Sequence, residues 1–273
     1  LMQQKYFYQP TNIVFLSLKG NDSVDLINRL STNNVDIDKN GITQTIFTNE
    51  NGRIIDIASI WNIDANNTTF ICNFENKKTL IEWIDKFTFD EEIELNEIEG
   101  LNLIHLFNDS QNINFDNFIS SGQVINKIEK QFGHFYSGKT SFYSKHESVD
   151  LIFNKDNEIE LKKILSAEGF NELNEKQFKS FRIKKTIPYG VNEINSLFNP
   201  LELNLIHLID FEKGCYIGQE VIARLDTYNK VQKKLITLNK KTSENLLNSA
   251  GSQITSQDDD NCMIVVRKKF LNI

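Results

Sequence analysis

The sequence predicts an α+β fold, and three observations carry that expectation. The first hundred residues read β-α-β-β-β-α-β, without the strict strand–helix alternation of a doubly wound sheet. Two further helical patterns follow between residues 158 and 185. After Arg224 the chain turns to short β-branched runs around a polar loop.

The elements justify themselves in order. In "NIVFLSLKG" (12–20), Ile13, Phe15 and Ser17 alternate with Val14, Leu16 and Leu18 up to Gly20, the period of a strand. "NDSVDLINRL" offers Asp22 or Ser23 as N-cap, with Leu26, Ile27 and Leu30 at helical spacing. "GITQTIFTNENGRIIDIASIWNID" holds two β-rich runs around the turn NENG, and "TTFICNF" adds a third, so the three form a meander. In "ENKKTLIEWIDKF", Leu80, Ile81, Trp83, Ile84 and Phe87 share one helical face, which should lie across that meander. "EEIELNEIEGLNLIHLF" adds strands broken at Gly100. Between 109 and 160 the pattern blurs, and "SSGQVINKIEKQFGHFYSGKTSFYSK" reads as strands joined by turns at Gly133 and Gly138. "EIELKKILSAEG" is a helix closed by Gly169, and "NEKQFKSFRIKK" one capped by Asn174 and ended before Pro188. "KVQKKLITLNKK" and "NCMIVVRKKFLNI" complete a small β module. The expected organisation is a region 1–228, made of α+β subunits at about 1–108 and 109–228, followed by the module 229–273.

Composition bounds the function. With 273 residues and 40% of them hydrophobic, the chain can build real cores without staples. Cys72, Cys215 and Cys262 are too scattered for a disulfide framework and form no C-x-x-C pair, which fits a reducing compartment. "LMQQKYFYQP" lacks the pattern of a signal peptide, and no run approaches the roughly 18 apolar residues of a membrane span. A cytoplasmic monomer with no membrane partner is expected. The formal net charge is −7 with both signs mixed along most of the chain, so no direct nucleic-acid partner is expected, and only a local basic patch stays open. The four histidines, at 105, 134, 146 and 207, have no metal-ligand pairing and read as structural or surface residues. No phosphate loop or dinucleotide fingerprint is present.

One stretch stands apart. "FEKGCYIGQEVIAR" (211–224) places Cys215 between Gly214 and Gly218, where positive φ and exposed N–H groups are possible, with Lys213 two residues away. A nearby cation would favour the thiolate. The residues alone leave open whether Cys215 is reactive or a small residue fitted into a turn.

The string K-G-C-(F/Y)-x-G-Q-E, followed by Arg, resembles the signature of the YgfZ family. Lys213, Gly214, Cys215, Tyr216, Gly218, Gln219, Glu220 and Arg224 match it. Upstream, "FRIKKTIPYGVNEINSLFNPLELNL" extends the resemblance through Arg182, Pro188, Gly190, Pro200, Glu202 and Leu205, although Lys185-Thr186 stands where a small residue is expected. That family is similar to the aminomethyltransferase T-protein of glycine cleavage and includes folate-binding proteins that support iron–sulfur enzymes.

The resemblance implies duplicated folate-binding α/β units of the aminomethyltransferase type, closed by a small C-terminal β-barrel around a central opening. It implies tetrahydrofolate as cofactor, with Glu202 in the place of the carboxylate that reaches the pterin. Arg182, Lys213, Tyr216, Gln219, Glu220 and Arg224 would line the site, and Cys215 would be its reactive group. Glu202 can equally be a surface carboxylate in a Pro-initiated turn. "NENGRIIDIASIW" resembles the strand that carries an acidic pair in the aminomethyltransferases. Here Asp56 is followed by Ile57, which argues against glycine-cleavage chemistry. The implied function is a tetrahydrofolate-binding accessory protein for assembly or repair of iron–sulfur clusters in client enzymes, tRNA-modifying radical enzymes among them. The alternative is a folate-dependent aminomethyl or methyl transferase. The implied partners are reduced folate and iron–sulfur clients or assembly factors.

Overall fold

The structure is a computed structural model, and it describes residues 4–35, 41–64, 67–109, 115, 117–119, 125–141, 147–241, 246 and 251–271. Its first layer is a five-stranded antiparallel sheet of β2 (Ile13–Lys19), β3 (Ile42–Thr48), β4 (Ile54–Asp64), β5 (Asn67–Asn73) and β6 (Glu94–Glu97), in the order β3-β4-β5-β2-β6. The alternation read from the sequence has two destinations. Val14, Leu16 and Leu18 pack with Phe47, Ile60 and Phe70 beneath α1 (Ser23–Leu30) and α2 (Lys77–Lys86), which contribute Leu26, Ile27, Leu30, Leu80 and Ile84. Phe15, Trp61 and Ile71, on the opposite face, meet Leu103 and Ile152 of a second sheet. Trp83 is only partly buried, at the edge of the helix-covered core.

That second sheet has the order β11-β1-β7-β10-β9-β8, from β1 (Lys5–Tyr8), β7 (Leu101–Asn108), β8 (Ile125–Lys130), β9 (Gly133–Ser141), β10 (Glu147–Asn154) and β11 (Phe170–Glu172). Phe7, Leu106, Val149, Leu151 and Phe153 are covered by Leu161 and Leu165 of α3 (Glu158–Ala167). Strands β1 and β7 therefore leave the sheet of their sequence neighbours: β7 pairs with β10, and β1 runs parallel to β11 with Lys5 opposite Phe170. Gly133 makes the expected turn, but Gly138 does not. It lies inside β9, opposite Asp150 of β10 and Ile125 of β8, where flanking strands hold the backbone extended.

Helix α4 (Glu175–Lys184) begins with the expected Asn174 cap: the Asn174 side chain accepts from Gln177 N–H, and the Gln177 side chain accepts from Asn174 N–H. After α5 (Gln219–Thr227), strands β12 (Lys233–Asn239), β13 (Gln253–Gln257) and β14 (Asn261–Arg267) form an open antiparallel sheet of order β12-β14-β13. Among the described residues this module is a three-stranded sheet rather than a closed barrel. Leu235, Met263 and Val265 pack onto Ile46, Ile54, Ile57, Ile183 and Phe198, so the module shares a core with the rest of the chain. Among the described residues no helix is long and apolar enough to cross a membrane.

Candidate functional site

Two distant segments, the 213–220 loop and the stretch from Asn199 through Leu203, converge on the turn Asn49–Gly52. Asn49 C=O accepts from Gly52 N–H at 2.9 Å, and Gly52 has φ +64°. Gly218, N-cap of α5, sits against this turn with φ +88°: a Cβ there would lie 2.6 Å from Asn49 O and 2.9 Å from Thr48 Oγ1. Glycine is thus required twice over at 218, by backbone conformation and by space. Thr48 Oγ1 donates to Ile217 O at 2.7 Å, and Asn199 Nδ2 donates to Gly52 O at 3.0 Å.

The loop ahead of Gly218 is tied down through its backbone. Asp210 Oδ1 accepts from the N–H groups of Glu212 and Lys213, an Asx turn. Lys213 Nζ donates to the carbonyls of Asn28, Ser31 and Asn33 at 2.9, 2.8 and 2.7 Å, which places a cation at the C-terminal end of α1. Burial lowers the Lys213 pKa to about 8, against a smaller opposing effect of Asp210. The same ammonium lies 5.5 Å from the ring centroid of Tyr216. Tyr216 is buried with Ile209 and Ile222, and burial, aided by Asp210, raises its phenol to about 12. Cys215 is exposed on this loop, whereas Cys72 and Cys262 are buried. Gln219 is half-buried, and Glu220 and Arg224 are exposed on α5.

The geometry corrects two expectations about this loop. Gly218 has positive φ but Gly214 does not, so the bend depends on one glycine. Lys213 directs its three donors to main-chain carbonyls, and its role is to anchor the loop that carries the thiol.

Glu202 belongs to the convergence. It lies in the 3-10 turn Pro200–Leu203, where its Oε2 accepts from Asn199 N–H at 2.9 Å and from Arg53 Nη1 at 3.1 Å. Arg182 does not belong to it, against the expectation that it would share a pocket with Glu202. Its guanidinium is buried and donates to Glu193 Oε2 at 3.0 Å and to Ser256 Oγ at 2.7 Å, while Ser256 donates to Glu193 Oε1 at 2.7 Å. Withdrawing Arg182 toward a ligand would leave the fully buried Glu193 carboxylate without its counter-charge.

Asp56 and Ile57 point to opposite faces of β4. Asp56 is fully buried and accepts from Asn73 N–H at 3.0 Å, Asn73 Nδ2 at 2.6 Å and Asn76 Nδ2 at 2.9 Å; burial raises its pKa to about 6 against those bonds. Ile57 is fully buried among Ile46, Ile183 and Ile194, so a carboxylate there would enter an apolar core.

A polar cluster between the two sheets is not singled out by any sequence motif. His105 Nδ1 and Asp150 Oδ1 are 2.6 Å apart, and Tyr189 Oη lies 3.4 Å from His105 Nε2. They line a cleft of about 10 Å³ with Cys72, Asn73 and Ser148, room for about one water molecule. The available signal was a polar residue at an inward position of an apolar strand, His105 in "LNLIHLF" and Asp150 in "SVDLIF".

No protein-family model matches the chain. A protein of Arabidopsis thaliana, named "Putative transferase At1g60990, chloroplastic", is 25% identical over 233 residues, 82% of this chain and 54% of that protein. The chain spans about half the length of that relative. "Iron-sulfur cluster assembly factor IBA57 homolog, mitochondrial" from Dictyostelium discoideum is 38% identical over 61 residues, 21% of this chain and 15% of that protein. Among solved structures, the glycine cleavage system aminomethyltransferase T from Bartonella henselae superposes with a TM-score of 0.70 at 12% identity, over 97% of this chain and 78% of that one. The fold is therefore of the aminomethyltransferase type.

Proposed function

We propose that this protein is a tetrahydrofolate-binding accessory factor for assembly or repair of iron–sulfur clusters in client enzymes, with Cys215 as its reactive group. The observation that carries the reading is the convergence of Asn49–Gly52, Pro200–Leu203 and the 213–220 loop, which ties a loop with an exposed thiol and a turn with a half-engaged carboxylate to one backbone turn. The similarity to a protein named as an iron–sulfur cluster assembly factor supports it, as does the aminomethyltransferase-type fold.

As it stands, the cleft beside His105 has room for about one water molecule. Glu202 fits tetrahydrofolate better. Its Oε2 is engaged by Asn199 and Arg53, while its Oε1 has no hydrogen-bond partner among the described residues and can accept a pterin N–H. The bound folate would supply a carrier for one-carbon units. Arg53 orients Glu202, and Lys213 fixes the loop that carries the thiol. The thiol is then available to cluster iron, as cargo, or to a client's sulfur. The alternative, a folate-dependent aminomethyl or methyl transferase, draws on the relative named as a transferase; the burial of Ile57 opposes it.

Two measurements test the reading separately. Calorimetry should show tetrahydrofolate binding that Glu202→Ala weakens at least tenfold, and wild type that binds no folate removes the cofactor. Cys215→Ser should bind folate normally but lose support of iron–sulfur enzyme activity in cells lacking the native protein. Full rescue by Cys215→Ser removes the role of the thiol.

A further inference from the structure

The fold gathers positive charge that is dispersed in the sequence. Residues 229–273 hold eight Lys and Arg against four Asp and Glu, net +4, while the 228 residues before them carry −11. In the C-terminal sheet Lys233 lies opposite Arg267, and Lys268 N–H bonds Gln232 O at 2.7 Å, so segments 230–234 and 267–269 meet at one end. Asp258, Asp259 and Asp260 sit at the other end, where Asn239 pairs with Asn261. Like charges placed opposite one another in a ladder oppose folding, so the arrangement costs stability unless an anion relieves it. Among the described residues, Lys230, Lys233, Lys234, Arg267, Lys268 and Lys269 form no ion pair with a carboxylate.

Lys234, Arg267, Lys268 and Lys269 line an open groove of about 840 Å³ floored by Leu201 and Val231. Its remaining lining residues are the carboxamides Asn204, Asn229 and Gln232, and no carboxylate lines it. Aromatic rings stand beside the cations. Lys230 Nζ is 5.3 Å from the ring centroid of Tyr228, which is 66% exposed, and Lys269 Nζ is 4.9 Å from that of Phe270. A pocket for a small organic cofactor is more enclosed and more apolar than this. An acidic protein surface would be met by the cations alone. The carboxamides, which match base edges, and the exposed ring, which offers a stacking face, suit unpaired bases on a phosphodiester chain.

We propose that this groove binds single-stranded nucleic acid, with the phosphates along Lys234, Arg267, Lys268 and Lys269 and a base stacked on Tyr228. The proposal is independent of the folate site. The test is fluorescence anisotropy with a labelled RNA of roughly 12 nucleotides and mixed sequence, and DNA of the same sequence. Four phosphate contacts predict a log–log salt slope of about −3, so affinity should fall roughly 50-fold between 50 and 200 mM salt. Arg267→Glu with Lys269→Glu should weaken binding at least tenfold and flatten the slope by about 1.4, with circular dichroism unchanged. Lys78→Glu, on the exposed face of α2, should bind as wild type does. Tyr228→Ala should lose several-fold in affinity at unchanged slope. Preference for RNA over DNA would assign the natural strand, and equal affinity would assign the backbone; both support the site. Absence of binding at 50 mM salt overturns it. So does equal competition by poly-L-glutamate together with a neutral Tyr228→Ala, which would assign the groove to an acidic protein.

Discussion

Asp56 gives the protein a pH dependence opposite to that of an ordinary carboxylate. Burial lifts its folded pKa to about 6 from the ordinary aspartate value of 3.8. Between those values the folded chain holds a proton that the unfolded chain has released, so stability falls as pH rises through this window and is constant outside it. Each pKa unit corresponds to 1.36 kcal/mol, and integrating the two titrations from pH 4.5 to 7.5 gives a loss of about 2 kcal/mol attributable to this one group. Asp56→Asn keeps the side-chain volume and removes the titration. Its carboxamide also turns an N–H₂ toward Asn73 or Asn76, a cost that does not vary with pH. Urea unfolding of both proteins at pH 7.5, 6.5, 5.5 and 4.5 isolates the pH-dependent part. The difference in unfolding free energy, wild type minus variant, should move in favour of wild type by about 2 kcal/mol on acidification. A difference that stays constant over the series would refute the raised pKa and the burial argument behind it.

Gly218→Ala should cost about 2–3 kcal/mol, because φ +88° is strained for alanine and the new methyl would meet Asn49 O; thermal unfolding reads this directly. Lys213→Met should lower stability in urea by about 2–4 kcal/mol by leaving three carbonyls without a donor, and iodoacetamide should then reach Cys215 faster on the loosened loop. The native protein should release one thiol equivalent quickly, and Cys72 and Cys262 only on unfolding. Arg182→Met should destabilise by about 3–5 kcal/mol by stranding Glu193, and Arg182→Met with Glu193→Gln should recover part of that loss.

The helices and the meander were legible in the sequence because each buries one face, and a buried face writes its period directly, as Leu26, Ile27 and Leu30 do in α1. Sheet membership was not. The alternation of β7 is the same whichever neighbour it pairs with, and β1 finds β11 only in three dimensions. Gly138 misled because glycine suggests a turn, while flanking strands on both sides override that tendency. At the site, the motif residues could be selected from their resemblance to a family. The acceptors of Lys213 could not, since main-chain carbonyls carry no sequence code. Arg182, Glu193 and Ser256 are 63 and 74 residues apart across the network, a separation that no spacing rule detects.

The parallel pairing of β1 with β11 has a consequence for synthesis. Lys5 cannot meet Phe170 until the chain has grown through β11 and cleared the ribosome, so β1 waits for a partner made about 160 residues after it. Until then β1, paired with β7 on one side only, keeps an open edge that is a template for pairing with other nascent chains. Closing so long a loop is entropically slow, which puts this step late on the folding path and makes it the stage at which a holdase would act. A polypeptide released after residue 108 would carry β1 and β7 without β10 and β11, two apolar strands deprived of most of their sheet.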